Sequence, residues 1–277
     1  MVFMEILFSY ICSCDIMMNE KKTVVKRGEF WMKRGFIFLL VGLLILGLLS
    51  GCAAQKEEGT LVMGTNADFP PFEFRNEQNE VDGFDADIAK AVAEAMGKEL
   101  VIEDMAFDGL IPALQTDKID IAIAGMTIRP DREEEVNFSK PYYNAGQTVV
   151  VREENDEIQG VDDLEGKLIA VQLGTTGDFE AHERFPAENI RQFNQVNEAF
   201  LELGNERVDA IIIDIPVAER YIEIKGGFKT VGGAFTEELF GIAVKKENTE
   251  LLEQVNEVLA ELEESGKFDE LLLKWFE

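Results

Sequence analysis

Signals for buried strands and amphipathic helices alternate along this chain, and partway through the alternation starts over. Residues 61–64, 100–105 and 119–124 read as strands, with helices at 85–96 and 109–116 between them. In the first helix Ile88, Ala91, Val92 and Ala95 recur at spacings of three and four, and Gly97 suits the stop. The order resumes with strands at 168–172, 192–193, 208–213 and 228–231. Between them lie a helix opened by Gly174-Thr175-Thr176-Gly177, a helix at 198–203 and a helix after Pro216. Residues 240–244 follow as another apolar stretch, and amphipathic helices at 249–264 and 267–276 close the chain. Strands separated by helices require crossovers and parallel pairs, which define an α/β sheet. Two such series predict two α/β lobes. The first takes 60–142 with 240–277 and the second 146–236. Hinge crossovers are expected at 141–148 and 236–242, where Pro141, Gly146 and Gly241 punctuate.

Composition narrows what such lobes can do. Asp and Glu number 54 against 26 Lys and Arg, a formal net charge of −28. A chain this acidic is repelled by nucleic acid and by anionic lipid headgroups, and the same charge favours solubility. Of the three cysteines, Cys12 and Cys14 precede a leader-like apolar run and only Cys52 follows it. No internal disulfide and no cysteine metal cluster is expected after that run. His182, the single histidine, stands beside Glu183 and Arg184 and reads as a surface residue, which argues against a zinc site or a Ser-His-Asp triad. No Gly-rich phosphate loop is present. The reading requires no metal and no cofactor.

Four segments carry a family resemblance. They are Gly64-Thr-Asn-Ala-Asp-Phe-Pro-Pro-Phe-Glu-Phe74, Gly83-Phe-Asp-Ala-Asp-Ile88, Phe107-Asp-Gly-Leu-Ile-Pro-Ala-Leu114 and Gly125-Met-Thr-Ile-Arg-Pro-Asp-Arg132, the last leading to Asn137-Phe-Ser-Lys-Pro-Tyr-Tyr143. In this order and spacing the chain resembles the extracytoplasmic amino-acid-binding proteins of ABC importers, in the polar amino-acid group. Ala86, where that family usually has a larger aliphatic residue, is a small departure. The resemblance implies a two-lobe periplasmic-binding-protein-like α/β fold with a hinge and an interlobe ligand cleft. It implies a monomeric binder rather than an enzyme. Such a binder closes on a free amino acid and delivers it to a membrane permease, while a separate ATPase subunit uses ATP.

An α-amino acid presents a carboxylate, an ammonium and a side chain. Arg132 suits the carboxylate because its planar fork grips both oxygens. Gly125, with Met126 beside it, lets backbone approach at a strand end, and Thr127 adds a hydroxyl. Thr175 and Thr176 open a helix whose N-terminus attracts an anion. Asp214 follows a buried strand; the resemblance gives it the ligand ammonium, and capping the next helix is its other reading. The resemblance also makes Phe69 and Phe107 aromatic walls, with plain core packing as the alternative for both. Asp85 and Asp87 stand at a helix start, where acids favour the dipole, and are read as structural.

The ligand's side chain is less constrained. In glutamine-binding relatives the positions of Gln172 and Ile213 commonly hold lysine and histidine, and neither is present here. Asn66 stands where many relatives have aspartate. Asp68, next to Phe69, is expected to bring an acid to the aromatic wall. No further base in these segments is available to an acidic side chain. An acidic pocket with aromatic faces attracts cations through charge and cation–π interaction. The expected ligand is therefore a cationic amino acid, arginine first, with glutamine or another neutral polar amino acid as the alternative. A ligand-sensing module and a dehydratase on the same fold are the rival functions.

The start of the chain has its own logic. Lys33 and Arg34 precede an unbroken apolar run at 36–49, which ends in Leu49-Ser50-Gly51-Cys52. This resembles a bacterial lipoprotein signal. The run is about 14 residues, short of the roughly 20 that cross hydrocarbon. On this reading 32–51 is the signal peptide, Cys52 the lipidated N-terminus and 52–59 a tether. The protein then faces outside the cytoplasm and touches the cell membrane through the Cys52 lipid alone. Residues 1–31 do not fit, because the signal begins at Met32. Arg27-Gly28-Glu29 can be encoded by purine-rich codons containing GGAG, ahead of Met32. Translation is expected to start there, leaving 1–31 upstream of the true start. N-terminal peptide mapping of the precursor should begin at Met32, and a peptide recovered from 1–31 would contradict this.

Overall fold

The computed structural model describes residues 59–277. The leader, Cys52 and most of the tether lie outside the described residues. Among those described, no helix is long and apolar enough to cross a membrane.

Two five-stranded sheets organise the molecule. The first has the order Glu99–Asp104, Thr60–Thr65, Ile121–Ala122, Ala243–Lys245, Val136–Phe138. Its first three strands run parallel, and Ala243–Lys245 is antiparallel to both of its neighbours. Helix Phe84–Ala95 buries Phe84, Ile88, Ala89 and Val92 in one apolar cluster with Leu61 and Met63 of the sheet. The second sheet has the order Ile190–Phe193, Ile169–Gln172, Ala210–Asp214, Gln147–Arg152, Phe228–Val231. Again three strands are parallel, and here Gln147–Arg152 is antiparallel to both neighbours. In each sheet that antiparallel strand is the one laid down directly after the chain has crossed from the other sheet.

The crossings themselves are strands. Tyr143–Ala145 and Glu238–Phe240 pair antiparallel, with Phe240 opposite Tyr143. The two connections therefore form one hydrogen-bonded ribbon. Phe72 joins this ribbon to the first lobe and to the end of the chain. It is fully buried, and its ring centroid lies 4.9–6.3 Å from those of Phe69, Phe84, Tyr143, Phe240 and Phe276. Phe276 belongs to the last helix, Lys267–Phe276, which is thus tied to the hinge ribbon.

Two expected strands differ in detail, and one strand was not expected. The ladder at 119–124 is restricted to Ile121–Ala122, although Asp120 and Ile123 still donate N–H groups to Val62 and Gly64. The apolar stretch at 240–244 is two strands broken at Gly241 and Ile242, because its first part pairs in the ribbon and its second in the sheet. Gln147–Arg152, which forms the antiparallel ladder with Ala210–Asp214 and Phe228–Val231, has no counterpart in the sequence reading.

Removing a buried phenylalanine ring costs roughly 3–5 kcal/mol. Phe72→Ala should lower the urea stability of the ligand-free protein by that amount. A loss under about 1 kcal/mol would show that the aromatic cluster is not the joint it looks like.

Candidate functional site

Between the lobes lies a cavity lined by Asn66, Phe69, Glu73, Phe107, Ala124, Gly125, Thr127, Arg132, Gln172, Thr175, Thr176 and Asp214, with about 290 Å³ of space between atoms. A second compartment of about 270 Å³ shares Phe69, Gln172, Thr175 and Asp214 with it and adds Gln147 and Ile213. The space left open to a water-sized molecule is only about 10 Å³ in each compartment, so the lobes stand close together over this cleft. A wider, more open groove beside the hinge ribbon is lined by Tyr143, Glu219, Arg220 and Trp275 among others. Among the described residues, no buried side-chain polar atom lacking a partner lies in that groove. Such atoms belong instead to residues of the two compartments: Thr176 Oγ1, Asp214 Oδ1 and both amide atoms of Gln147, with Glu73 Oε2 turned to the neighbouring carboxyl of Asp85. Buried polar groups are nearly always hydrogen-bonded in native proteins, so the lining of this cleft is left open to a further partner.

Thr176, Asp214 and Glu73 are placed by local geometry. Thr175 is the cap of helix Thr176–Arg184: its hydroxyl accepts from Asp178 N–H at 3.3 Å and donates to the Gln172 carbonyl at 2.7 Å. The Asp178 carboxylate accepts the Gly174 N–H, and Gln192 donates to both its oxygens. The capping work is thus done by Thr175 and Asp178, which leaves the Thr176 hydroxyl for the cavity. Asp214 ends the strand Ala210–Asp214 and occupies the cap position of helix Ile215–Lys225, yet makes no side-chain capping bond. Glu73 lies on the strand Glu73–Arg75, between Phe72 and Phe74.

Arg132, at 5 % exposure, is the one buried basic side chain among the described residues; Glu73, Asp85, Asp178, Asp214 and Glu238 are buried acids. It sits in the short helix Pro130–Glu135 and donates to the Thr127 carbonyl at 2.8 Å and to the Gly174 carbonyl at 3.0 Å. Its guanidinium lies 5.3 Å from the centre of the Phe107 ring. Burial and neighbouring Arg129 pull its pKa down to about 10, so it stays charged at neutral pH. Gly125 has a left-handed backbone, φ 53°, and a Cβ there would come within 2.9 Å of the Phe69 ring. Glycine lets the aromatic wall rest on the backbone at that point.

The acids are perturbed in one direction. Burial, with Glu238 nearby, pushes Asp214 up to about 7. Burial pushes Asp85 up to about 6, although the Gly125 N–H, Glu73 and the Tyr142 hydroxyl favour its charge. Burial and the negative charge of Asp85 push Glu73 well above the usual carboxylate range.

The lobes also touch directly. Gln172 Nε2 donates to Asn66 Oδ1 at 2.6 Å, and Arg129 donates to the Thr175 carbonyl at 3.4 Å. Asp68 accepts from the Asn197 N–H at 2.8 Å and from the Tyr221 hydroxyl at 2.7 Å.

Ten of the twelve residues picked from the sequence line this cavity: Asn66, Phe69, Phe107, Gly125, Thr127, Arg132, Gln172, Thr175, Thr176 and Asp214. Asp68 and Met126 do not. Asp68 and Phe69 are consecutive on one strand, so their side chains point to opposite faces. The phenylalanine faces the cavity and the aspartate the helices of the second lobe. Met126 is buried in the first lobe with Leu110, Leu114 and Ala243. Conversely, Glu73 is an acid the sequence reading left out. Its one signal was an acidic residue inside the aromatic run 69–74. Asp85, read as structural, is buried at the helix start and also contacts the cavity acid Glu73. Among the described residues no group of three or more His, Cys, Asp or Glu is arranged to hold a metal ion.

A two-lobe α/β fold with a partly unsatisfied polar cleft defines a solute-binding protein. The chain belongs to the bacterial extracellular solute-binding proteins, family 3, whose model matches residues 61–277. It is 34% identical over 250 residues to the arginine-binding extracellular protein ArtP of Bacillus subtilis (strain 168), covering 87% of this chain and 97% of that one. An ancestral arginine-binding protein solved with arginine is 45% identical, with a TM-score of 0.76 over 79% of this chain and 99% of that one. An ancestral arginine-binding protein solved with glutamine is also 45% identical, with a TM-score of 0.76 over 79% of this chain and 98% of that one.

Carboxyls held above their ordinary pKa favour the fold at low pH and lose that contribution as they ionise. For Asp214 the loss runs from about pH 4 to about pH 7. The melting temperature of the ligand-free protein should fall across this range. Asp214→Asn should flatten the fall between about pH 4 and pH 7. An unchanged profile in the variant would contradict the placement of this carboxyl.

Proposed function

We infer that this protein is the extracellular binding component of an ABC importer for a cationic amino acid, arginine first. The observation that carries the reading is one cavity lined by Arg132, by the unsatisfied oxygens of Thr176 and Asp214, and by the buried acid Glu73. An amino acid supplies a partner for each of these groups. Its carboxylate meets Arg132 and the Thr176 hydroxyl at the helix start. Its ammonium meets Asp214. Its side chain then runs between Phe69 and Phe107 toward Glu73, which favours a positive end. The names of the similar proteins support arginine, and one of them is solved with glutamine, so glutamine is the competing ligand.

The two ends of such a ligand are held from different lobes. Arg132 and Glu73 belong to the first, Thr176 and Asp214 to the second. Contacts made only when both lobes engage favour the closed state, so binding drives closure about the ribbon of Tyr143–Ala145 and Glu238–Phe240. The closed form delivers its cargo to a permease powered by a separate ATPase, and a lipid on Cys52 keeps it beside them.

Isothermal titration should find micromolar or tighter binding of arginine, equivalent to about −8 kcal/mol or more, and weaker binding of glutamine. Removing one partner of a buried ion pair costs about 3–5 kcal/mol. Arg132→Ala should therefore lose more than about 100-fold in affinity while its circular dichroism stays unchanged. Near-normal affinity in that variant would refute the site, and tighter binding of glutamine would refute the ligand.

A further inference from the structure

The acid facing the expected ligand side chain is not alone. Glu73, 1 % exposed, and Asp85, fully buried, bring their carboxyls within hydrogen-bonding reach of each other. Asp85 Oδ2 accepts from the Gly125 N–H and the Tyr142 hydroxyl, both at 2.9 Å. Asp85 Oδ1 and Glu73 Oε2 receive no donor from the protein. Two carboxylates in contact cannot satisfy each other, because both only accept. A single proton between them supplies the missing donor and removes the repulsion, as in other close carboxyl pairs. Both residues belong to the first lobe, one on the strand Glu73–Arg75 and one at the start of helix Phe84–Ala95, so lobe movement does not separate them.

We propose that the site binds its ligand by proton exchange: the Glu73–Asp85 pair holds one proton when ligand is absent, and the ligand's cationic side chain displaces it to solvent. This rests on the cationic-ligand reading above. The exchange balances in charge, since one cation enters as one proton leaves. The groups facing the pair leave the proton no competing local cation. Asp104 and Asp214 add negative charge to Glu73, Tyr142 is a neutral donor, and Arg132 lies across the cavity near Asp214 and Glu238. Burial and these acids hold Glu73 well above the usual range while Asp85 titrates at about 6. Asp214 titrates near 7, so above that pH it has mostly lost its own proton and contributes little to any release on binding. A neutral side chain such as that of glutamine leaves the proton in place and bonds to the protonated pair.

The test is titration of the intact protein with arginine at about pH 8 in phosphate and in Tris, two buffers of very different ionisation enthalpy. The expected difference in heat corresponds to release of about one proton, and affinity should rise close to tenfold per pH unit while the pair is protonated. In Glu73→Gln, which cannot share a proton in this way, the buffer difference should vanish and arginine affinity fall at least tenfold. Circular dichroism and melting of the variant report whether it is folded. Arginine binding with the same heat in both buffers would overturn the exchange and leave the ligand reading intact. Failure of arginine to bind the wild-type protein would overturn both. Persistence of the buffer difference in folded Glu73→Gln would show that the proton comes from elsewhere.

Discussion

The interlobe cavity concentrates negative charge that its own protein does not neutralise. Glu73, Asp85, Asp214 and Glu238 are buried in or close to it, and Arg132 is the single buried cation among the described residues. Burying a carboxylate without a partner is unfavourable, and the group responds by holding a proton or by recruiting a cation. Here Asp85, Asp214 and Glu73 are all displaced upward. The arginine is already directed to backbone carbonyls and to an aromatic face, so it does not neutralise the far end of the cavity. A ligand with two positive groups and one negative group complements this arrangement better than one with a single positive group.

The fold brings those charges to the cleft on the ends of its strands. Each lobe ends a central strand at the cleft: Ile121–Ala122 leads to Gly125 and Thr127 in one, and Ala210–Asp214 brings the aspartate in the other. In open α/β sheets such strand ends are where ligands bind. The ribbon of Tyr143–Ala145 and Glu238–Phe240 is the described connection between the two sheets, and Phe72 packs on both its members. Phe72 thereby links the ribbon to the packing beneath the aromatic wall. Asp68 adds a contact that exists only while the lobes meet, through Asn197 and Tyr221.

Much of this was legible in the sequence where a physical rule ties type to place. The helix at 85–96 is found at Phe84–Ala95 because its apolar spacing matches one buried face. The last two helices, expected at 249–264 and 267–276, match Thr249–Glu264 and Lys267–Phe276. Gln147–Arg152 was missed because a strand buried on both faces shows a continuous apolar run instead of alternation, and its Val149–Val151 core is only three residues long. Asp68 misled because sequence neighbours on a strand face opposite ways. Glu73 was overlooked for the converse reason. Between Phe72 and Phe74 it reads as the outward residue of an alternating strand, yet in a short strand packed under the cleft its face is also interior.

A crystal structure of the protein with arginine tests the central claim most directly, because it shows which charge meets which. The account predicts the ligand carboxylate on Arg132 and Thr176, the ammonium on Asp214, and the guanidinium between Phe69 and Phe107 within hydrogen-bond distance of Glu73. An arginine whose guanidinium lies away from Glu73, or whose carboxylate avoids Arg132, would contradict it.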